Sequence, residues 1–347
     1  VSPGAAMTQL DDPQPATVEK DMQESDVLAC SFGSWYSRFR SVTFKSAAIP
    51  LPEDFVRFPM ADGIQLGAPA AADDDASSDA SWNGDVDGGG SSASEDQPEA
   101  TFPELEERVR KAIGSLGGAV LPKLNWSAPK DARWLQNTLR CTSPDDVFML
   151  LKASDFVAHD LWHTFDHCAT ERKRPDEFTL VLRRWHDVHE SSEFRCFVSE
   201  SALFAVSQRQ TSGCFKHLGE ESEREELLWR IRGFFEEHVR ETFPLARYAF
   251  DIYVGSAPHW KLRLVDFSPW GTTTDPCLFD WPELAELAAG ARPGAAPEFR
   301  IVSSEAERRS KAERYSEVPL ELAQLGMGEG LEDLIRKADH LLQQRGD

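Results

Sequence analysis

The chain has 347 residues, with 37 Lys and Arg against 59 Asp and Glu, a formal net charge of −22. A chain this acidic is repelled by phosphate backbones and anionic lipid, which argues against nucleic acid and membrane as main partners and for a basic protein surface, or a cation carried with a nucleotide. No apolar run approaches the roughly 18 residues that cross a bilayer, and the first residues lack the basic and apolar regions of a secretory leader. The six cysteines (Cys30, Cys141, Cys168, Cys196, Cys214, Cys277) form no CxxC pair, which points to reduced thiols in the cytosol or nucleus, and the expected location is cytoplasmic.

Residues 1–25 are rich in Pro, Asp and Gln without periodicity and read as a disordered tail, with order expected from Val27. Residues 26–290 read as one core. Within it, 67–100 carries Asp73-Asp74-Asp75 and a run of Gly, Ser and Ala that buries too little apolar area to offset its ordering entropy, and is read as a disordered acidic insertion. A helix is predicted over 103–113, where Leu105, Val109, Ala112 and Ile113 recur at helical spacing. Further helices are predicted over 145–152, 221–241 and 282–289, and strands over 119–124, 178–182, 194–198, 202–207, 248–254 and 261–267. Neighbouring strands read as antiparallel pairs, so the predicted class is α+β. Residues 291–347 read as a polar extension with one amphipathic helix, 331–342.

Two aspartates carry the strongest chemical signal. Asp251 in AFDIYV and Asp266 in KLRLVDFSPWG each interrupt an apolar run, although Asp is disfavoured inside strands. A hairpin register placing them opposite each other makes Ala257–Trp260 the loop and sets Tyr253 beside Leu264. Two adjacent carboxylates repel, and a divalent cation removes the conflict; magnesium takes one or two carboxylates together with phosphates and water. The alternative is that each Asp separately ends a strand or caps a turn.

Other residues add weaker signals. Lys123 at the end of an apolar strand is a point charge suited to a phosphate, or a lysine snorkelling at a strand end. Ser127 reads as the cap of a following helix. Arg183, Arg184 and Trp185 follow a β run and offer backbone amides and an aromatic wall to a purine base. Glu193 and Arg195 share a strand face by alternation, and Arg209 is within reach of the same surface; singly, each also reads as a surface ion pair. His159, His163 and His167 recur every four residues, but HDLWH lacks the Glu of HExxH and no further zinc ligands accompany it. No P-loop is present.

Taken together, PKLNWSAP, FTLVLRRW, EFRCFV, SQR, FDIY and LVDFSPWG resemble the cell division cycle protein 123 family over about residues 26–290. The resemblance implies an ATP-grasp-like fold, two lobes clasping a nucleotide, with ATP and Mg2+ as cofactors. It also implies an assembly chaperone, not an enzyme, that is monomeric alone. This chaperone binds the C-terminal domain of the gamma subunit of eukaryotic translation initiation factor 2 and helps the alpha subunit join, supporting translation initiation and cell-cycle progression. Carried onto matching positions, the ATP residues are Lys123, Asn125, Trp126, Ala128, Leu182, Arg183, Arg184, Trp185, Glu193, Arg195 and Arg209. Asp251 and Asp266 match the metal carboxylates. Ser268 stands where the family has Asn, a shorter hydroxyl in place of an amide carbonyl, and Lys130 stands where Arg is common. The rival reading is an ATP-grasp ligase forming an acyl-phosphate.

Overall fold

The computed structural model describes residues 22–57, 102–256 and 258–309. The helices are α1 (Glu24–Ala29), α2 (Phe32–Phe39), α3 (Glu53–Arg57), α4 (Pro103–Ser115), α5 (Pro144–Lys152), α6 (Asp155–Trp162), α7 (Glu221–Phe234) and α8 (Trp281–Ala289). The strands are β1 (Ser46–Pro50), β2 (Val120–Lys123), β3 (Thr179–Arg184), β4 (Glu193–Ser199), β5 (Ala202–Gln208), β6 (Arg247–Val254), β7 (Leu262–Pro269) and β8 (Glu298–Arg300). Every predicted helix and strand in the core overlaps an observed element. The acidic insertion 67–100 and the helix 331–342 lie outside the described residues.

Local chemistry explains most boundaries. α5 starts with a capping box: Asp146 N donates to Ser143 Oγ at 3.1 Å, and Ser143 N donates back to the Asp146 carboxylate at 3.1 Å. Asp280 caps α8 by accepting from Glu283 N. The predicted helix 221–241 is instead α7 followed by a wider π-turn, Phe235–Val239. The extra residue per turn brings consecutive Phe234 and Phe235, and then Val239, to the buried side. At the N-terminal edge, Met22 bridges to Cys168 and α1 begins at Glu24, so 22–25 belong to the fold and not to the tail 1–25.

The described residues divide into two compact units: one holds 22–44, 159–176, 186–256 and 258–309, the other 45–57, 102–158 and 177–185. The first contains a five-stranded sheet ordered β7-β6-β4-β5-β8, in which only β5 and β8 run parallel. One face carries Phe250 and Phe267, packed by Trp35, Phe39, Phe235 and Phe243, the last stacked on Phe267 at 3.8 Å. The other face carries Phe197, Ala205 and Ala249, covered by Phe279, Leu284 and Ala288 with Trp270 and Trp281. Burying these aromatics, at about 25 cal/mol per Å² of apolar surface, is the main stabilisation of this sheet.

The second unit has a three-stranded antiparallel sheet ordered β1-β3-β2, with α4 and α5 packed on it. Leu105, Val109 and Ile113 of α4 and Val147, Leu150 and Leu151 of α5 are buried apolar residues at helical spacing. Among the described residues no helix is long and apolar enough to cross a membrane.

Candidate functional site

In the first unit, Asp251 and Asp266 are direct partners across β6 and β7. Opposed residues of an antiparallel pair share a face, so both carboxylates emerge on one side of the sheet. Ser268, opposite Ala249, is on that side as well. The register past the aspartates differs from the expectation. Val265 is an extra residue in β7, so Ile252 faces Leu264 and Tyr253 faces Arg263, and the strands end at Val254 and Leu262. A bulge beside two aspartates re-aims side chains where regular alternation would bury one of them.

The row continues through Arg195 opposite Asp251, Ser207 opposite Arg195, and Arg300 beside Ser207. Arg195 holds Asp251 in a fork: Nε donates to Oδ1 and Nη2 to Oδ2, each at 2.8 Å. Arg209 Nε reaches Asp251 Oδ2 at 3.4 Å, and its Nη1 donates to Asp275 Oδ2 at 3.0 Å. Arg195 Nη1 also donates to the Asp275 carbonyl at 2.8 Å. Arg195, Asp251 and Asp275 are all buried or nearly so. Burial and the nearby Arg209 pull the Arg195 pKa down, but the Asp251 carboxylate outweighs them and the net displacement is upward. The charge conflict expected of the aspartate pair is therefore relieved on the Asp251 side by two arginines. Glu193, two residues before Arg195 on the same face and opposite Tyr253, is half-buried.

Sequence reasoning missed Asp275. Its carboxylate accepts from Cys277 N at 2.9 Å, an Asx turn in the Asp275-Pro276-Cys277 stretch, and Cys277 sits at φ 59°. An Asp-Pro turn a few residues past the SPWG segment was the available signal. The Cys277 thiol is pushed up by burial, with Arg209 and Arg195 opposing.

In the second unit, Lys123 pairs with Val181 and Leu121 with Arg183, so by alternation Lys123 and Arg183 share one face of the three-stranded sheet. Both are buried. Asn125 acts on the backbone: its Oδ1 accepts from Thr179 N at 2.7 Å and its Nδ2 donates to the Glu177 carbonyl at 3.4 Å, splinting the end of β2 to the start of β3. Trp126 and Ala128 are half-buried, and the Ser127 carbonyl accepts from Leu124 N at 2.8 Å. Ser127 caps no helix, because the next turn, Asp131–Leu135, starts after Lys130. Leu182 is buried on the face opposite Arg183, and Arg184 is exposed beside Gly117. The backbone amides expected to meet a base are engaged elsewhere: Arg184 N donates to Lys45 O at 2.8 Å and Trp185 N to Ala119 O at 2.9 Å. The indole of Trp185 is half-buried.

The histidine triplet does not form a ligand face. α6 ends at Trp162, leaving only His159 helical, and His163 Nδ1 lies 2.8 Å from Asp166. Among the described residues no group of three or more His, Cys, Asp or Glu is arranged to hold a metal ion. A magnesium site built from Asp251, Asp266 and Ser268 would have two carboxylates and a hydroxyl and would need further donors from water or a ligand. The donor set fits magnesium in type, since all three offer hard oxygens on one face. A pocket of about 500 Å³ beside β8, lined by Arg224, Phe299, Arg300 and Arg309 among others, includes none of the predicted ATP or metal residues.

Against known proteins, the family described as D123 matches residues 35–326. A protein of Xenopus laevis named translation initiation factor eIF2 assembly protein is 36% identical over 333 residues, covering 90% of this chain and 95% of the frog protein. The cell division cycle protein 123 of Aspergillus terreus is 40% identical over 277 residues, 76% of this chain and 64% of its own length. The structure of Cdc123 from Schizosaccharomyces pombe is similar with a TM-score of 0.63 and 35% identity, over 80% of this chain and 97% of that one. With the match running through both sheets and the polar row between Asp266 and Arg195, the chain belongs to the D123 family.

Proposed function

We propose that this protein is an ATP- and magnesium-binding assembly chaperone for eukaryotic translation initiation factor 2. The observation that carries the ATP part is the pairing of Asp251 with Asp266 on one face, with Ser268 beside them. The assembly part rests on relatives whose names describe eIF2 assembly proteins. In this reading the fold is ATP-grasp-like and works in the cytoplasm, without the chain being an enzyme.

The reading assigns metal contacts to Asp251, Asp266 and Ser268. Bound magnesium would neutralise phosphate charge at the carboxylates. Arg195 and Arg209 orient Asp251 and hold its charge until a ligand arrives. Glu193, two residues before Arg195, is assigned to the ligand on the same face. Lys123 and Arg183 are assigned to phosphate oxygens, Arg183 as a fork and Lys123 as a point charge. Trp126, Ala128, Leu182, Arg184 and Trp185 are assigned to the base and ribose, through side chains and carbonyls, since two of the amides are engaged; Asn125 shapes that wall through its backbone splint. The partner assigned is the gamma subunit through its C-terminal domain.

The test is thermal unfolding with ATP and magnesium, with and without the gamma subunit, alongside phosphate release. At ATP about a hundred times Kd the stabilisation expected is about 2.7 kcal/mol, with no turnover. Sustained phosphate release dependent on a small acceptor would instead identify a ligase.

A further inference from the structure

α7 presents a solvent face that its own packing does not explain. Glu221, Glu225, Trp229 and Gly233 recur every four residues along it, and all four are exposed. Trp229 is 68% exposed, and only Trp134 joins it as a large apolar side chain left in solvent among the described residues. The Arg230 guanidinium lies 5.7 Å from the Trp229 ring centre and 5.0 Å from that of Trp260, so the two indoles and the arginine form one patch. Arg230 is itself tied to Glu226.

The flanks are acidic. Glu225, one turn before Trp229, makes no ion pair among the described residues; beyond Gly233 the edge continues with Glu236, which pairs with Arg240 at 2.7 Å, and the exposed Glu237, whose nearest basic group is His238 at 3.6 Å. Glycine inside a helix costs about 1 kcal/mol relative to alanine. A Cβ at Gly233 would meet nothing within 4 Å, so no neighbour in this chain requires the gap. A bare stretch of helix backbone next to an exposed indole is what a closely approaching partner segment uses.

We propose that this face of α7 docks a basic segment of a partner protein, a Lys or Arg of the partner lying on the Trp229 ring between Glu225 and Glu237 while its main chain passes over Gly233. Trp is the strongest cation–π acceptor and a frequent interface anchor. The surrounding carboxylates, within a chain of net charge −22, select for a positive partner and against nucleic acid. The identity of the partner rests on the assembly reading above, which makes the segment part of the initiation-factor gamma subunit.

The experiment titrates purified gamma subunit into the full-length protein and into Trp229→Ala, Gly233→Gln and Glu225→Lys, at low and moderate salt, with a melting curve for each. Trp229→Ala and Gly233→Gln are expected to weaken binding tenfold or more with melting temperatures unchanged or, for Gly233→Gln, raised. Glu225→Lys should weaken it most at low salt. Wild-type affinity in both Trp229→Ala and Gly233→Gln overturns the docking face and leaves the assembly reading standing. No binding by the wild type overturns that reading and the docking with it. Self-association of the wild type that Trp229→Ala abolishes would assign the face to a second copy of the chain, and so overturn the proposal.

Discussion

The five-stranded and three-stranded sheets both bury charge, and they arrange it in opposite ways. On the first, Asp251 is gripped by the fork of Arg195 and touched by Arg209, which Asp275 in turn restrains, so unlike charges alternate within one network. On the second, Lys123 and Arg183 place like charges on one face, two register positions apart. In the first arrangement the Asp251 oxygens are already engaged by guanidinium. The second brings two cationic side chains to one buried face. One folded chain thus holds alternating charge on one sheet and like charge on the other.

Three variants break or sharpen that contrast, in descending size of effect. Asp251→Ala leaves Arg195 buried without its carboxylate, and a loss of about 3–5 kcal/mol is expected in urea unfolding; replacing both by Arg195→Met with Asp251→Leu should restore most of it. A loss under about 1 kcal/mol for the single variant would mean the network does not anchor the sheet. Asn125→Ala removes the acceptor of Thr179 N and should cost about 1–3 kcal/mol, with the three-stranded unit showing the faster amide exchange. Equal exchange in both units would reject the splint.

The smallest effect is Asp146→Ala, about 1 kcal/mol at neutral pH through loss of the α5 capping box. Burial alone would raise the Asp146 carboxyl, but hydrogen bonds from Thr142 and Ser143 bring it below its ordinary value. A depressed folded pKa gives stability that is present above the unfolded value of about 3.9 and lost as pH falls through the folded one. The gap between wild type and variant should therefore close on acidification below about pH 4. A gap independent of pH would assign the loss to contacts of the side chain that do not depend on its charge, since helix propensity by itself favours alanine.

What was legible in the sequence was the alternation. Asp251 and Asp266 each interrupt an apolar run, which suggested their pairing, although the chain reaches that register only through the bulge at Val265. Their partners were not legible, because Arg195 is 56 positions from Asp251 and Arg209 is 66 from Asp275, and only tertiary packing joins them. The bulge at Val265 left no compositional mark. Short elements such as α1, α3 and β8 lack the length for periodicity to register. The amides of Arg184 and Trp185 were misjudged since strand ends at Lys45 and Ala119, distant in sequence, claim them.

The most direct measurement is calorimetric titration of ATP with magnesium, and again with EDTA, into the wild type and Asp266→Asn. Asp266 lies at the half-buried end of the row, and Asn keeps an acceptor for the Phe267 amide, which Asp266 Oδ1 accepts at 3.1 Å, so the fold is retained. The account predicts magnesium-dependent binding by the wild type and a loss of at least tenfold in the variant, with its melting temperature in the absence of nucleotide unchanged. Equal magnesium-dependent affinity in both proteins would contradict it.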